Sequence, residues 1–599
     1  MIIPTGMSAK EIVNDLKENY AKVRRLLDED SKNDPEEEPY FSKYKAKEIL
    51  KNMYGVLCNM QEAGSGLTKV QIDALKGIVL LSIGTIDMET DEYTSCEKAL
   101  KEAEEVLLPS ALAPEVIILL LNVLNNLGLL WSFRGQPEKA KGYLLSSKKI
   151  CEDFKATLLM PVPIETILNI VTPKEETSLM DFMSLEKAHT LTLYYLAQVY
   201  GALNECVKAA IYCHVTLRRQ LMYNDYDPIE WALNSATLSQ FFVEQNGFYQ
   251  SRYHLSAAST ILDQYETELL ESEIHDEEYL ARKETFKHRS ADVARCWVKY
   301  CLLLMSASKD RLMSDAESVT DAITDLSNLT LEDDENICGG DMKRLKFLDL
   351  NVSKYEEKIT DKYLLTYEDA REVFICCQRW LNIAKDYYKP DTLASDHIEL
   401  VQDWSQSYAY LAFFEEDDER RAKMYKRRVD MLEDLLKELN PTYYLLYCRQ
   451  LWYELGQVYS EILNIKLEKL NKLKEKPTPH LLKKINMLCE KSIESYDNFI
   501  ASVKDKNGVM PIRLDSDVVK PAINAYVHIG RNSMKRIAVD KNTHLSYVKK
   551  SYESYQGVVD ICKNDPEAAK MMKEEYALCQ EMVNILPLKI KKLEKDLQA

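Results

Sequence analysis

Glycine and proline are scarce in this chain, 17 and 18 among 599 residues. That scarcity excludes a β-rich architecture needing a turn every dozen residues, and it fits long helices joined by short connections. Histidine is scarcer still. Nine occur, and no two lie within one or two helical turns, so HExxH and related zinc signatures are missing. No GxxxxGK[ST], GxGxxG, GxSxG or DxDxDG run exists, and GSGLTK (64–69) lacks the spacing and the preceding strand of a phosphate loop. The expectation is therefore a protein that is not an enzyme, with no cofactor and no metal. A composite active site assembled only by the fold is the remaining enzymatic alternative.

Positive charge is also in deficit, with 77 basic against 96 acidic residues and a formal net charge of −19. Nucleic acid and anionic membrane surfaces are disfavoured, because affinity for them comes from cations placed on phosphates. Two readings of the acidity stand side by side: it complements a basic protein partner, or it keeps a large protein soluble. The 14 cysteines form no CxxC pair and sit mostly in apolar helical runs, which reads as free thiols in a reducing, cytoplasmic setting. The start, MIIPTGMSAKEIVNDLKENY, shows no basic stretch followed by an apolar core, so no signal peptide is expected. The longest charge-free run, Ile117 to Phe133, contains Asn122, Asn125 and Asn126 and reads as a packed helix, not a membrane span.

What is present is apolar periodicity. Hydrophobic residues make up 46% of the chain, enough to build cores, and the length is too great for one ordinary domain. Three stretches share one spacing: NNLGLLWSFRGQPEKAKGYLLSS (125–147), YYLAQVYGALNECVKAAIYCHVT (194–216) and ATLSQFFVEQNGFYQSRYHLSAA (236–258). Each runs Leu, small, two residues, aromatic, then a small residue 13 positions after the Leu and an anchor four beyond. The anchors are Leu127, Gly128, Trp131, Ala140 and Leu144; Leu196, Ala197, Tyr200, Ala209 and Cys213; Leu238, Ser239, Phe242, Ser251 and Leu255. This is the tetratricopeptide helix–turn–helix pattern, and such units stack into a solenoid that binds other proteins.

The predicted architecture is all-α: a right-handed tetratricopeptide-like helical solenoid in two halves. An N-terminal helical cap (1–67) contains an acidic loop, DEDSKNDPEEEP (28–39). The N-terminal solenoid follows (68–330), with its clearest repeats at 121–154, 190–223 and 232–265. Pro161, Pro163 and Pro173 mark an insertion near 159–180. The polar LEDDENICGGDMK (331–343) suggests a hinge within a 331–360 linker, and a degenerate helical half (361–599) ends in a capping helix. LWYELGQVYSEIL (451–463) there still shows Leu455, Gly456 and Tyr459 in the right relation.

In such units the first helix lines the concave side, and the residue before the Leu shares a face with the one two after it. That selects Asn126 with Leu129, Tyr195 with Gln198, and Thr237 with Gln240. The last four form a polar, uncharged row with donors and acceptors; the bland alternative is that they bond neighbouring helices. The inner slots Asn125, Leu129, Tyr195, Leu233 and Thr237 contain no cation, which argues against capture of a C-terminal carboxylate.

Long ordered blocks resemble the KIF-binding protein family, kinesin-binding tetratricopeptide proteins: EPYFSKYKAKEIL (38–50), YNDYDPIEWALNSATLSQF (223–241), ARCWVKYCL (294–302), LAFFEEDDERRAKMYKRRVDMLE (411–433) and NPTYYLLYCRQ (440–450) among them. The resemblance runs from about 38 to 590 and is weak at 159–182 and 310–360. It implies binding of kinesin motor domains through the concave face, inhibition of their microtubule binding, and a place in kinesin-driven transport, including mitochondrial transport and axonal development. The implied contact residues are Tyr195, Gln198, Gln220, Thr237 and Gln240, of which Gln220 rests on the resemblance alone. Localisation would be cytoplasmic and cytoskeleton-associated, and a monomer is the default. A generic tetratricopeptide scaffold joining cargo factors or organelles to other proteins is the alternative.

Overall fold

The computed structural model describes residues 9–60, 67–167, 177–271, 276–314, 345–347, 350–472 and 478–598. Among them there is no strand, and helix follows helix. The first nine long helices are α1 (Ala9–Asp28), α2 (Phe41–Cys58), α3 (Lys69–Glu89), α4 (Tyr93–Leu107), α5 (Ile117–Phe133), α6 (Pro137–Ala156), α7 (Thr177–Ala202), α8 (Cys206–Met222) and α9 (Pro228–Glu244). After α10 (Phe248–Leu270) and α11 (Glu277–Met313) come α12 (Tyr367–Tyr387), α13 (Ala394–Phe414), α14 (Asp418–Glu438), α15 (Leu445–Lys472) and α16 (Pro479–Val503). The chain closes with α17 (Ser516–Lys535), α18 (Lys541–Asn564) and α19 (Lys573–Gln598). No described helix is long and apolar enough to cross a membrane.

Local chemistry sets the helix ends. Thr68 and Thr366 start α3 and α12 with reciprocal capping boxes to Gln71 and Asp369. Asp227 caps α9 by accepting from the Glu230 amide, with Pro228 in the first turn. The ends of α5, α7 and α8 share another device. Gly135, Asn204 and Asn224 stand two residues past the last helical residue with φ of 67, 60 and 48°, and the following amides return to Trp131, Tyr200 and Gln220 at 2.9–3.0 Å. Glycine and asparagine tolerate that left-handed position best, so each helix stops in one residue and the chain reverses.

The chain divides into two compact units, and the boundary falls at Gln245/Asn246. The N-terminal unit comprises 1–245 with 260–265 and 322–352; the C-terminal unit takes 246–259, 266–321 and 353–599. The sequence had suggested a division at 331–360, but α11 packs with the helices after it. Trp297 of α11 stacks on Trp380 of α12 at 5.5 Å, and Arg295 pairs with Asp396 and Glu399 at 2.6 and 2.5 Å. The suggested hinge at 331–343 lies outside the described residues. The acidic 28–39 stretch is more structured than a loop: Asp30–Asn33 form a 3-10 turn, and Asp34 accepts from the amide and hydroxyl of Ser42.

In the N-terminal unit the core runs without a break from α1 to α5, through Val23, Leu50, Leu100, Leu119 and Leu127, all fully buried. Most repeat anchors are buried as their spacing requires, while Trp131, Ala209 and Cys213 are only partly buried. Gly128 meets Leu144 so closely that a Cβ there would lie 2.7 Å from the leucine side chain. Asn125 departs from expectation. It is 1% exposed, donates to the Ala188 carbonyl at 3.1 Å and accepts from Thr192 at 2.8 Å, so it joins α5 to α7 and lines no inner surface. In the C-terminal unit, separate clusters centre on Leu451 and Ile485, on Tyr496 and Ile529, and on Val548 and Val558.

Candidate partner-binding face

The candidate face is built on α7, α8 and α9. Leu196, Ala197 and Tyr200 turn one side of α7 inward, and Leu238, Ser239 and Phe242 do the same for α9; all six are buried. Burying each leucine contributes about 1.5–3 kcal/mol, which fixes the rotation of the helix and with it what faces outward. Gln198 and Thr237 are exposed, and Tyr195, Gln220 and Gln240 are partly buried.

Three polar devices hold these helices in place. At the α7–α8 turn, Lys141 and Lys208 both pair with Glu205, at 3.2 and 2.6 Å, and both stand over the Tyr200 ring. Tyr200 stacks on Tyr212 of α8 at 5.4 Å and 15°. Between α8 and α9, the Trp231 indole donates to the Leu217 carbonyl at 3.0 Å. The third device sits beside Gln220. Arg219 binds Glu186 and donates to Thr190 at 3.0 Å, while Lys155 reaches Glu186 at 2.7 Å. Burial alone would raise the Glu186 carboxyl, but Lys155 and Arg219 outweigh it and hold the group below the usual range. His189 is pushed down to about 2 by burial and by the same two cations, so it stays neutral.

Gln220 and Thr237 come together on a groove of about 330 Å³ whose lining is mainly apolar. Its floor is Ala209, Cys213 and Leu217 of α8, and its walls carry Tyr194 of α7 and Asn234 and Phe241 of α9. Tyr195, Gln198 and Gln240 do not line it. Tyr195 lies beside it, its ring 5.7 Å from that of Tyr194, and burial raises its phenol above the ordinary value. That keeps the hydroxyl protonated and available as a donor at neutral pH. Gln240 donates to Ser239 at 3.1 Å, a local bond of the kind the bland alternative foresaw.

The repeat argument missed Tyr194, Asn234 and Phe241. Tyr194 is 41% exposed, large and aromatic, and Gly201 stands seven residues on, hence on the same helical face. Asn234 and Thr237 share a face at i, i+3 in the same way. Those spacings were legible; the position of α8 between the two walls was not.

A family model described as KIF-1 binding protein C terminal matches residues 229–593. A KIF-binding protein of Drosophila melanogaster is 36% identical over 605 residues, covering 100% of this chain and 99% of its own. One from Gallus gallus is 37% identical over 588 residues, covering 97% of each. The chain belongs to the KIF-binding protein family. A solved kinesin binding protein (KBP) is similar in fold, with a TM-score of 0.63 at 30% identity over 96% of this chain and 98% of that one. The C-terminal family model opens at Ile229, in the first turn of α9, so it takes in Thr237 and Gln240. Tyr195, Gln198 and Gln220 precede it and are reached by the chain-long relatives. Among the described residues, no group of three or more His, Cys, Asp or Glu side chains is arranged to hold a metal ion.

Proposed function

We propose that this chain binds kinesin motor domains and keeps them off microtubules by covering the surface they use to hold tubulin. The observation that carries the reading is the face on α7–α9 in a member of this family. Four uncharged polar residues, Tyr195, Gln198, Thr237 and Gln240, lie at i, i+3 on two helices, with Gln220 and an apolar groove between them. The related chains of known structure and name are described as binding kinesin, which supports the same partner here. A motor helix laid across such a face would place an apolar side chain in the groove and its polar flanks against the amides. The −19 net charge supports steering of a basic, tubulin-facing surface toward this chain. Occlusion needs no chemistry from either partner, so no step of catalysis is assigned to these residues.

The test is a binding titration of a kinesin motor domain with the chain and with the Tyr195→Ala, Gln198→Ala double variant. Loss of about 1–3 kcal/mol of affinity is expected if the two side chains are hot spots. Unchanged affinity in a variant that melts like the parent would move the site off this face. Binding only to isolated cargo tails or peptides, with none to a folded motor, would favour the scaffold reading.

A further inference from the structure

The C-terminal unit holds a second concavity, a cleft of about 800 Å³ crossed by α13, α14, α15 and α17, with the end of α11 at one side. In a chain of formal charge −19, its lining carries five cations: Lys309, Arg421, Arg428, Arg531 and Lys535. Two of these are already satisfied. Arg428 binds Glu454 at 2.9 Å and Ser405 at 3.1 Å, and Arg421 pairs with Asp418 at 2.8 Å. For Lys309, Arg531 and Lys535, no carboxylate lies within 4.0 Å among the described residues. The acids in the lining, Glu461 and Glu468, are exposed to solvent, as is Arg531, and the Glu461 charge partly offsets that of Arg531 at Lys535.

The fold holds these like charges together. Asn532 is 1% exposed and donates to Ser460 and Ser492 at 2.9 and 3.0 Å, which fixes the turn of α17 that carries Arg531 and Lys535. Lys535 donates to Asn464 of α15 at 3.0 Å, and His528 stacks on Tyr496 at 5.2 Å. The mutual repulsion registers in their neighbours. Burial, with the Arg531 charge beside it, holds Lys535 below the usual lysine range; burial together with Arg531 and Lys535 pushes His528 down to about 4. Arg531 is exposed and Lys309 and Lys535 are partly buried, so like charges along the cleft present a positive field that an incoming anion relieves.

We propose that this cleft binds an acidic segment of a partner protein, with Lys309, Arg531 and Lys535 receiving its carboxylates. The unpaired cations stand on two helices, α11 and α17, with α13 and α15 also in the walls, a layout suited to carboxylates spaced along a chain. A single phosphate group would call for cations converging on one point. Gln406, Gln457 and Asn464 lie in the same lining, and their amides supply both donors and acceptors for a peptide backbone. Phe413, 38% exposed with Lys309 above its ring at 5.8 Å, offers an apolar face beside the charges.

The experiment is fluorescence anisotropy of a labelled oligoglutamate peptide titrated with the full chain, with an oligolysine peptide of equal length as control. Saturable binding of oligoglutamate that weakens as salt rises, with none of oligolysine, is expected. The Lys309→Glu, Arg531→Glu variant should weaken it at least roughly tenfold, and Lys309→Gln with Arg531→Gln, which adds no negative charge, by a smaller factor. Circular dichroism and melting identify variants that keep the fold. Absence of saturable binding at low salt would overturn the proposal, as would equal affinity in a folded Gln variant. Displacement of the peptide by inorganic tripolyphosphate at lower concentration than by unlabelled peptide would assign the cleft to a small anion instead.

Discussion

In the N-terminal unit Gly128 of α5 admits Leu144 of α6; in the C-terminal unit Gly456 of α15 admits Tyr496 of α16. A Cβ at either glycine would lie 2.7 Å from its partner. The packing device is the same and the filler differs. Helix length differs too: α5 and α6 have 17 and 20 residues, α15 and α16 have 28 and 25. Longer helices move the contacting residue further along the chain, so the spacing that marks the three repeats is absent from α15 and α16 while the geometry it serves persists. Buried asparagines repeat the lesson. Asn125 ties α5 to Ser147 of α6 and Thr192 of α7, and Asn532 ties α17 to Ser492 of α16 and Ser460 of α15.

The units differ most in how they bury charge, and there the largest effect is expected. Glu186 is 1% exposed between Lys155 and Arg219, whereas Glu419, held down to about 2 by Lys469 and Lys466, is half exposed. Glu186→Gln should destabilise the N-terminal unit by about 2–4 kcal/mol, since two partly buried cations lose a fully buried counter-charge. Glu419→Gln should cost less, about 1–2 kcal/mol, because Glu419 is half exposed and, of its two cations, Lys466 is buried while Lys469 stays in solvent. Urea denaturation of both variants checks the ordering.

Next is the filler. Gly456→Ala should cost roughly 2–3 kcal/mol and Gly128→Ala roughly 1. Tyr496 is fixed by His528 stacked at 5.2 Å and Tyr453 edge-on at 5.7 Å, while Leu144 can change rotamer. A larger cost at Gly128 would break the comparison. Asn125→Ala and Asn532→Ala should each cost about 1 kcal/mol, and by similar amounts, because each removes hydrogen bonds from buried hydroxyls that keep another partner. Unequal costs would show that the two junctions are not equivalent.

The effect of pH is small near neutrality and grows with acid. His189 in the N-terminal unit is held down to about 2, and His254 and His528 in the C-terminal unit to about 4, burial being the main cause in all three. A lowered folded value means that protons bind the unfolded chain better. Stability is therefore full above about pH 6.5 and declines as pH falls below it. The decline from His189 continues to a lower pH than that from the other two. Melting curves from pH 7 toward acid, with His189→Gln as reference, measure its share.

Helix identity and the anchors of three repeats were legible because a helix pair of ordinary length places its contacts at fixed spacing, as Leu127, Gly128 and Leu144 do. The outward positions of Gln198 and Thr237 followed from the same periodicity. The unit boundary was not legible: it depends on Trp297 meeting Trp380 and Arg295 meeting Asp396, pairs far apart in sequence. Asn125 was misread as an inner-surface residue because its partners, Ala188 and Thr192, lie beyond the proline-marked insertion. The groove beside Thr237 escaped for a related reason, since its floor belongs to α8 and periodicity within one helix says nothing about a neighbour.

The most direct test is co-sedimentation of a kinesin motor domain with microtubules, with and without this chain. The account predicts that the motor leaves the pellet and is found with this chain in the supernatant, and that the Tyr195→Ala, Gln198→Ala variant restores it to the pellet. A motor that stays on microtubules at saturating chain, across several kinesin families, would contradict it.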